Sequence, residues 1–144
     1  MTAYDKAKYH EEGDGGDYPQ ELKVRPGYAH GGFFLGWIID RELYSADFAQ
    51  RYAGGIKAFR RREMTGPQLY ERAGGVLGSD MLNEAGNVYT ESRYDNYLSD
   101  YLFYLNLEGE VESPYHVPDT WENYEAIKFN LDEDYQYWQE HISR

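Results

Sequence analysis

The sequence contains no cysteine and no long hydrophobic run. The absence of cysteine excludes disulfides, thiolate catalysis and cysteine-ligated zinc or iron–sulfur centres. The longest apolar stretch, Phe33 to Ile39, is far shorter than the roughly 20 residues that cross a bilayer as a helix. The first residues lack the basic and then apolar pattern of a signal peptide. We therefore expect a cytoplasmic protein that does not enter the membrane.

Basic residues are also scarce. The chain has 14 Lys and Arg against 26 Asp and Glu, which gives a formal net charge of −12 at pH 7. Such a charge repels nucleic acids and anionic membranes, and it attracts basic proteins. The 16 tyrosines suit either a binding surface or a core that keeps its hydroxyls hydrogen-bonded. Composition therefore excludes a nucleic-acid partner and leaves both roles open for the tyrosines.

The apolar spacing predicts an all-α fold of five or six helices in one domain, residues 1–144. Residues 1–29 have frequent glycine and proline, so we expect an irregular segment that packs on the helices through its tyrosines. The sequence predicts a helix over 31–43, a helix over 46–63 with Ser45 as its N-cap, and a short helix from Thr65 or Gly66 to Gly74. A turn near 80–85 and a helix within 87–105 are expected to follow. The final helix is expected to be capped by Asp119 and Glu122.

The stretch AHGGFFLGWIID, residues 29–40, admits two interpretations. A His-Gly-Gly loop can bind an oxyanion in some hydrolases, but it needs a Gly-x-Ser-x-Gly nucleophile elbow, and the sequence has none. Apolar residues in every direction around the helix axis instead predict the most buried helix, with His30 near its start. Gly31, Gly32 and Gly36 would then let a neighbouring backbone pack closely.

The sequence assigns no catalytic residue, metal ligand or cofactor. No two of the four histidines lie four residues apart, and there is no His-Glu-x-x-His motif. Residues 10–17, HEEGDGGD, are rich in oxygen ligands but lack the register of a calcium loop. The many acidic pairs are uninformative in so acidic a chain. We expect no enzymatic activity from these patterns.

Three blocks of sequence carry a resemblance to an uncharacterised family of small bacterial proteins. The first runs from Tyr4 to His10 and continues through Gly16-Asp17-Tyr18-Pro19. The second is the His-x-Gly-Phe-Phe-Leu-x-Trp pattern that starts at His30, and the third is Val-x-Asp-Thr-Trp-Glu-Asn-Tyr from Val117. The resemblance implies an intracellular single-domain protein, and it transfers no activity. In character such proteins are similar to immunity proteins of polymorphic or type VI secreted toxins.

These observations lead to one favoured hypothesis for function. We expect a non-enzymatic immunity protein whose acidic surface occludes the active site of a basic toxin domain. The acidic residues expected to bind the toxin fall in two clusters, Glu11, Glu12, Asp14 and Asp17, and Asp132, Glu133 and Asp134.

The alternative hypothesis is a small-ligand-binding or enzymatic domain. Its pocket would be formed by His10, His30, Asp119 and Trp121. Should there be no such pocket, we expect the two histidines to be hydrogen-bonded, Asp119 to cap a helix and Trp121 to lie in the core. The sequence also leaves a homodimer open.

Overall fold

Six α-helices and one small antiparallel sheet form the part of the chain that the computed structural model describes, residues 2–6, 29–107, 109–111 and 117–141. The elements are β1 (Ala3–Lys6), α1 (Ala29–Asp40), α2 (Ala46–Arg51), α3 (Ala53–Arg60), α4 (Gly66–Arg72), β2 (Val76–Gly78), a 3₁₀ turn (Ser79–Met81), α5 (Glu84–Tyr104) and α6 (Trp121–His141). The prediction of a mostly helical single domain is confirmed.

Helix α1 lies at the centre of the domain. Every residue from Ala29 to Ile39 is buried, because the apolar side chains point in all directions and α4, α5 and α6 surround them. The His30-Gly31-Gly32 stretch lies within the first turn of this helix. Of the two interpretations of this stretch, the buried helix is therefore confirmed and the oxyanion-binding loop is not.

The closest approach in the fold is between α1 and α4. A Cβ added to Gly32 would lie 2.2 Å from the Cα of Pro67, and one added to Gly66 would lie 2.2 Å from the carbonyl oxygen of Gly32. Neither position can accept a larger residue without moving a backbone. These two glycines therefore set the distance between the two helices.

The predicted helix over 46–63 is divided in two. Ser45 caps its start as expected, because the Ser45 hydroxyl accepts a hydrogen bond from the Phe48 amide. The backbone leaves helical geometry at Tyr52 (φ −122°, ψ 30°), and α3 begins immediately after it. The short helix α4 follows with Thr65 as its N-cap in a full capping box.

The N-terminal prediction was wrong for four residues. Ala3–Lys6 forms strand β1, which pairs antiparallel with β2 from Ala3 opposite Gly78 to Lys6 opposite Val76. An isolated segment this short has no periodicity that marks it as a strand, and only its pairing with β2 stabilises it. Residues 7–28, the rest of the predicted irregular segment, lie outside the described part of the chain.

Helices α5 and α6 pack against α1 and against each other. The buried face of α6 consists of Tyr124, Ile127, Leu131, Tyr135 and Trp138. These residues recur every three or four positions in the sequence, a spacing that predicts a single aromatic face of a helix, and the structure confirms it. The expected cap is displaced by one residue. The hydroxyl of Thr120, rather than the carboxylate of Asp119, accepts the hydrogen bond from the Asn123 amide.

Candidate functional site

A buried polar network surrounds the start of α1. The Nε2 atom of His30 lies 2.9 Å from Oδ2 of Asp5, and the Tyr94 hydroxyl donates to the same carboxylate oxygen at 2.7 Å. Asp5 and His30 are each about 5% exposed. The Tyr97 hydroxyl donates to the His30 carbonyl oxygen at 2.7 Å. The network therefore joins β1, α1 and α5 through their side chains.

The tyrosines of this network serve as hydrogen-bond donors. Burial, and secondarily the negative charge of Asp5, raises the pKa of Tyr94 well above its ordinary value. Its hydroxyl therefore stays protonated and keeps donating to Asp5. An aspartate and a histidine at this distance could move a proton, but each is enclosed by protein. The shown contacts define an attachment of β1 to the helices.

Tyr101 is adjacent to this network and is also influenced by the charge of Asp119. The ring of Tyr101 meets the His30 ring edge to face at 6.0 Å. Burial, and secondarily the charge of Asp119, raises the pKa of Tyr101. The Tyr101 hydroxyl is fully enclosed and has no hydrogen-bond partner within the described residues. Trp121 packs on Phe59 and Tyr124.

The predicted pocket residues are thus only partly brought together. His30 is bound to Asp5, as expected for a hydrogen-bonded core histidine. Asp119 accepts a hydrogen bond from the Thr65 hydroxyl at 2.6 Å, and desolvation raises the pKa of its carboxyl. Trp121 is half-buried, with the Arg62 guanidinium 4.6 Å from its ring centre. His10 lies outside the described residues. Asp5 was not among the predicted site residues, and no spacing in the sequence marks it.

The acidic run on α6 does not form one surface. The carboxylate of Asp134 receives two hydrogen bonds from Arg93, at 2.6 and 3.1 Å, and one from the Tyr89 hydroxyl at 2.6 Å. Asp132 accepts from the indole nitrogen of Trp37 at 2.9 Å and lies 3.6 Å from Arg41. Of the three, Glu133 is exposed, and Asp132 and Asp134 are partly buried. Two of the three residues in this predicted toxin-binding cluster are therefore bound within the domain.

A different set of residues forms the solvent-facing side of α6. We call it the outer stripe, and its members are all exposed: Glu122, Glu125, Phe129, Glu133, Tyr137 and Glu140. They recur every three or four residues, so at about 100° per residue they fall within an arc of about 120°. Phe129 is 62% and Tyr137 55% exposed. The outer stripe combines four carboxylates with two exposed aromatic rings.

Two of the four carboxylates of the outer stripe, Glu122 and Glu133, have no ion-pair partner among the described residues. Glu125 lies 3.3 Å from Arg62, and Glu140 lies 3.8 Å from the His141 ring, both at exposed positions. Such surface pairs contribute little to stability. A groove of about 480 Å³ is lined by Phe129 and Glu133 and also by Arg41. The sequence could have revealed this surface, because its residues occupy the side of the helix opposite the buried aromatic face.

Most tyrosines among the described residues pack in the core or against it. Those that the structure buries are Tyr70, Tyr89, Tyr94, Tyr97, Tyr101, Tyr124 and Tyr135. Their hydroxyls mostly bind carboxylates and carbonyls inside the domain, as Tyr89 and Tyr97 do. Tyr137 is the exposed tyrosine of the described segments. Of the two roles that composition left open, packing in a core accounts for most of them.

The other predicted surface lies outside the described residues. Glu11, Glu12, Asp14 and Asp17 all belong to the segment 7–28. Within the described segments, no three His, Asp or Glu side chains converge as a metal site requires. No helix in that part of the chain is both long and apolar enough to cross a membrane.

The fold and the placement of its charges define a mostly helical single domain with an acidic outer face. The chain belongs to a family of domains of unknown function, DUF7832, whose family model matches residues 3–117. The resemblance to an uncharacterised family is thereby confirmed, and α6 lies beyond the matched residues. Comparisons with curated proteins and with solved structures gave no match.

Proposed function

We propose that this domain is a non-catalytic binding protein and that the outer stripe of α6 is the surface that contacts a basic protein. The observation that carries the proposal is the outer stripe itself. Its Glu122 and Glu133 have no ion pair with the described residues, and Phe129 and Tyr137 are exposed on the same face of the helix. An exposed aromatic ring is an uncommon surface feature that is enriched where proteins bind one another.

The two kinds of side chain have separate tasks in this mechanism. The net charge of −12 and the carboxylates of the outer stripe attract a basic partner and orient it, which raises the association rate most at low salt. Phe129 and Tyr137 then lose their exposed surface against the partner and slow its dissociation. The groove beside Phe129 gives a projecting Lys or Arg side chain a place next to Glu133.

The partner that best matches this chemistry is a secreted bacterial toxin with a basic active-site cleft, such as a nuclease. A cleft that binds a polyanionic substrate presents the same cations that an acidic helix would cover. The chain would then act as an immunity protein that occludes the cleft. Its small size and acidic composition support this assignment.

Growth rescue tests the proposal. A panel of bacterial toxin domains with basic clefts is expressed in a bacterial host together with the chain, and colony survival is scored. We expect rescue from at least one toxin by the wild type. Combining Glu122→Gln, Glu133→Gln and Glu140→Gln should abolish the rescue. A matched control, Glu63→Gln with Glu71→Gln and Glu91→Gln, removes the same charge from exposed positions elsewhere and should retain it. Equal rescue by both triple variants would contradict the proposal.

A second candidate function is a small-ligand or catalytic site between His30 and Asp119. The observation that favours it is the buried Tyr101 hydroxyl, which has no hydrogen-bond partner within the described residues. An unpartnered buried hydroxyl costs stability that a polar ligand could recover. A thermal-shift screen of small polar compounds on the wild type and on Tyr101→Phe tests it. Stabilisation of the wild type alone would support a ligand site, and equal responses would remove it.

A further inference from the structure

Positive charge is concentrated in one short segment of this acidic protein. The segment 48–62 holds Arg51, Lys57, Arg60, Arg61 and Arg62, five of the 14 basic residues, and no Asp or Glu. Basic side chains near the end of α3 stabilise the helix dipole by about 0.3 to 1 kcal/mol each. Complementing the dipole of α3 requires only one or two cations, and it requires no groove beside them. The segment has more charge than the helix end requires.

Three of these cations border a groove of about 350 Å³ on the α2–α3 side of the domain. Lys57, Arg60 and Arg61 line it together with Tyr44. Its remaining lining is apolar, from Ala49, Ala53 and Ile56. The groove therefore combines a cationic edge with a floor of small apolar side chains. Its volume lies in the range of small-molecule sites.

The cations of the groove differ in how they are held. The Nη2 atom of Arg60 donates to the Tyr44 hydroxyl at 2.8 Å, and its guanidinium lies 5.7 Å from the centre of the Tyr44 ring. Its ion pair with Glu42 is exposed and 3.5 Å long. Lys57 and Arg61 are exposed and have no carboxylate within ion-pair distance among the described residues.

Arg62 shows the contrast within the same run. Its guanidinium is directed to Glu125, 3.3 Å away, and stacks near Trp121 on the α6 side. It is therefore committed to holding α3 against α6. Lys57 and Arg61 have no such structural task, although they stand in a domain with an excess of 12 negative charges.

We propose that this groove binds a small organic anion, a carboxylate or phosphate carried on an apolar body of a few carbons. The anionic group is bound by Lys57 and Arg61, with Arg60 held by Tyr44 as a planar donor for a bidentate contact. The apolar body covers Ala49, Ala53 and Ile56. This site is separate from the outer stripe and does not depend on the proposed protein partner.

The test uses defined probes on the whole chain. Hexyl phosphate and hexanoate are titrated into isotopically labelled protein, with hexanol as the neutral analogue and inorganic phosphate as the head group alone. We expect saturable amide shifts at Tyr44, Ala53 and Ile56 with the two amphiphilic anions, and tighter binding of hexyl phosphate than of hexanol or inorganic phosphate. Adding salt should weaken the binding of both anions.

Variants separate what the cationic side chains and the apolar lining of the groove each contribute to binding. Lys57→Gln with Arg61→Gln should weaken hexyl phosphate binding roughly tenfold, because two charge-assisted contacts are lost. The control Arg51→Gln with Arg72→Gln makes the same charge change at exposed positions outside the groove and should bind normally. Ala53→Phe fills the floor, so it should weaken hexyl phosphate more than inorganic phosphate.

Three results would overturn the proposal. The first is binding of hexanol as tight as that of hexyl phosphate. The second is normal binding by the Lys57 and Arg61 double variant, with its fold confirmed by circular dichroism. The third is a concentration-dependent dimer that this double variant loses, since the groove would then hold the outer stripe of a second copy.

Discussion

On the inner side of α6, Asp134 binds Arg93 and Tyr89, and Tyr124 donates to Asp40. On the outer side of the same helix, Glu133 and Phe129 face solvent. Both faces carry acids and aromatic rings. The named side chains of the inner face bind other parts of the domain, whereas Glu133 and Phe129 on the outer face do not. Helical phase alone separates the two sets.

The difference shows why a count of acidic residues cannot locate a binding surface. Neighbouring carboxylates such as Glu133 and Asp134 point about 100° apart on a helix. One of them stabilises the packing of α5 on α6, and the other remains available to solvent. Acids that are bound within the domain contribute to its stability, whereas Glu133 remains exposed to solvent.

The largest effect should come from the buried acid at the start of the chain. Asp5→Ala leaves His30 and Tyr94 without their shared acceptor, and breaking a buried pair costs about 3 to 5 kcal/mol. We expect a loss of this size in the free energy of unfolding from urea denaturation. Tyr94→Phe, which removes one donor and keeps the pair, should cost only about 1 kcal/mol. Equal losses for the two variants would contradict this assignment.

The next effect compares two adjacent positions on α6. Asp134→Ala removes three hydrogen bonds and leaves Arg93 unpaired, so it should lower the free energy of unfolding by about 2 to 3 kcal/mol. Glu133→Ala should change it by less than about 0.5 kcal/mol. Chemical denaturation of both variants checks the difference. A similar loss for both would mean that the two faces are not distinct.

The effect of the exposed aromatic ring should be confined to binding. Phe129→Ala removes no core contact, so stability should stay within about 0.5 kcal/mol of the wild type. Dissociation of a bound basic protein should become faster, because a contact ring is lost. Surface plasmon resonance measures the rate. Val88→Ala, an exposed apolar position on α5, is the control and should leave dissociation unchanged.

The smallest effect on stability is expected at Asp119, whose carboxyl is neither fully bound within the domain nor fully exposed. Asp119 is exposed as a residue, yet desolvation raises the pKa of its carboxyl above the ordinary 3.8. Its protonated form is therefore favoured in the folded state. The resulting stabilisation is fully present below the unfolded pKa and is lost as the pH rises through the folded pKa. Relative to Asp119→Asn, the wild type should be more stable at pH 3 than at pH 6. Thermal melts across this range measure the trend, and a reversed trend would contradict it.

Much of the fold follows from the sequence, because periodic burial requires periodic hydrophobicity. The buried helix α1, the Ser45 and Thr65 caps and the aromatic face of α6 were all predictable. Strand β1 was not, since its pairing with β2 depends on contacts between residues 70 to 75 positions apart in sequence, from Lys6 with Val76 to Ala3 with Gly78. The break at Tyr52 lies two residues before Gly54, and no local pattern in the sequence places it.

The candidate site was less predictable for the same physical reason. Asp132 and Asp134 differ from Glu133 in helical phase, but the sequence does not show that Trp37 and Arg93, on other helices, bind them. Asp5 acquires its role from His30 and Tyr94, which the fold brings to it. Phe129 and Glu133 were within reach, because their phase opposes the predicted aromatic face.

Affinity capture with matched variants tests the central proposal most directly. The tagged wild type, the outer-stripe triple variant and the control triple variant are each incubated with native bacterial lysate at low and moderate salt. The account predicts one basic protein that the wild type and the control retain, that salt weakens, and that the outer-stripe variant loses. Equal retention of that protein by both triple variants would contradict the assignment of the outer stripe as the binding surface.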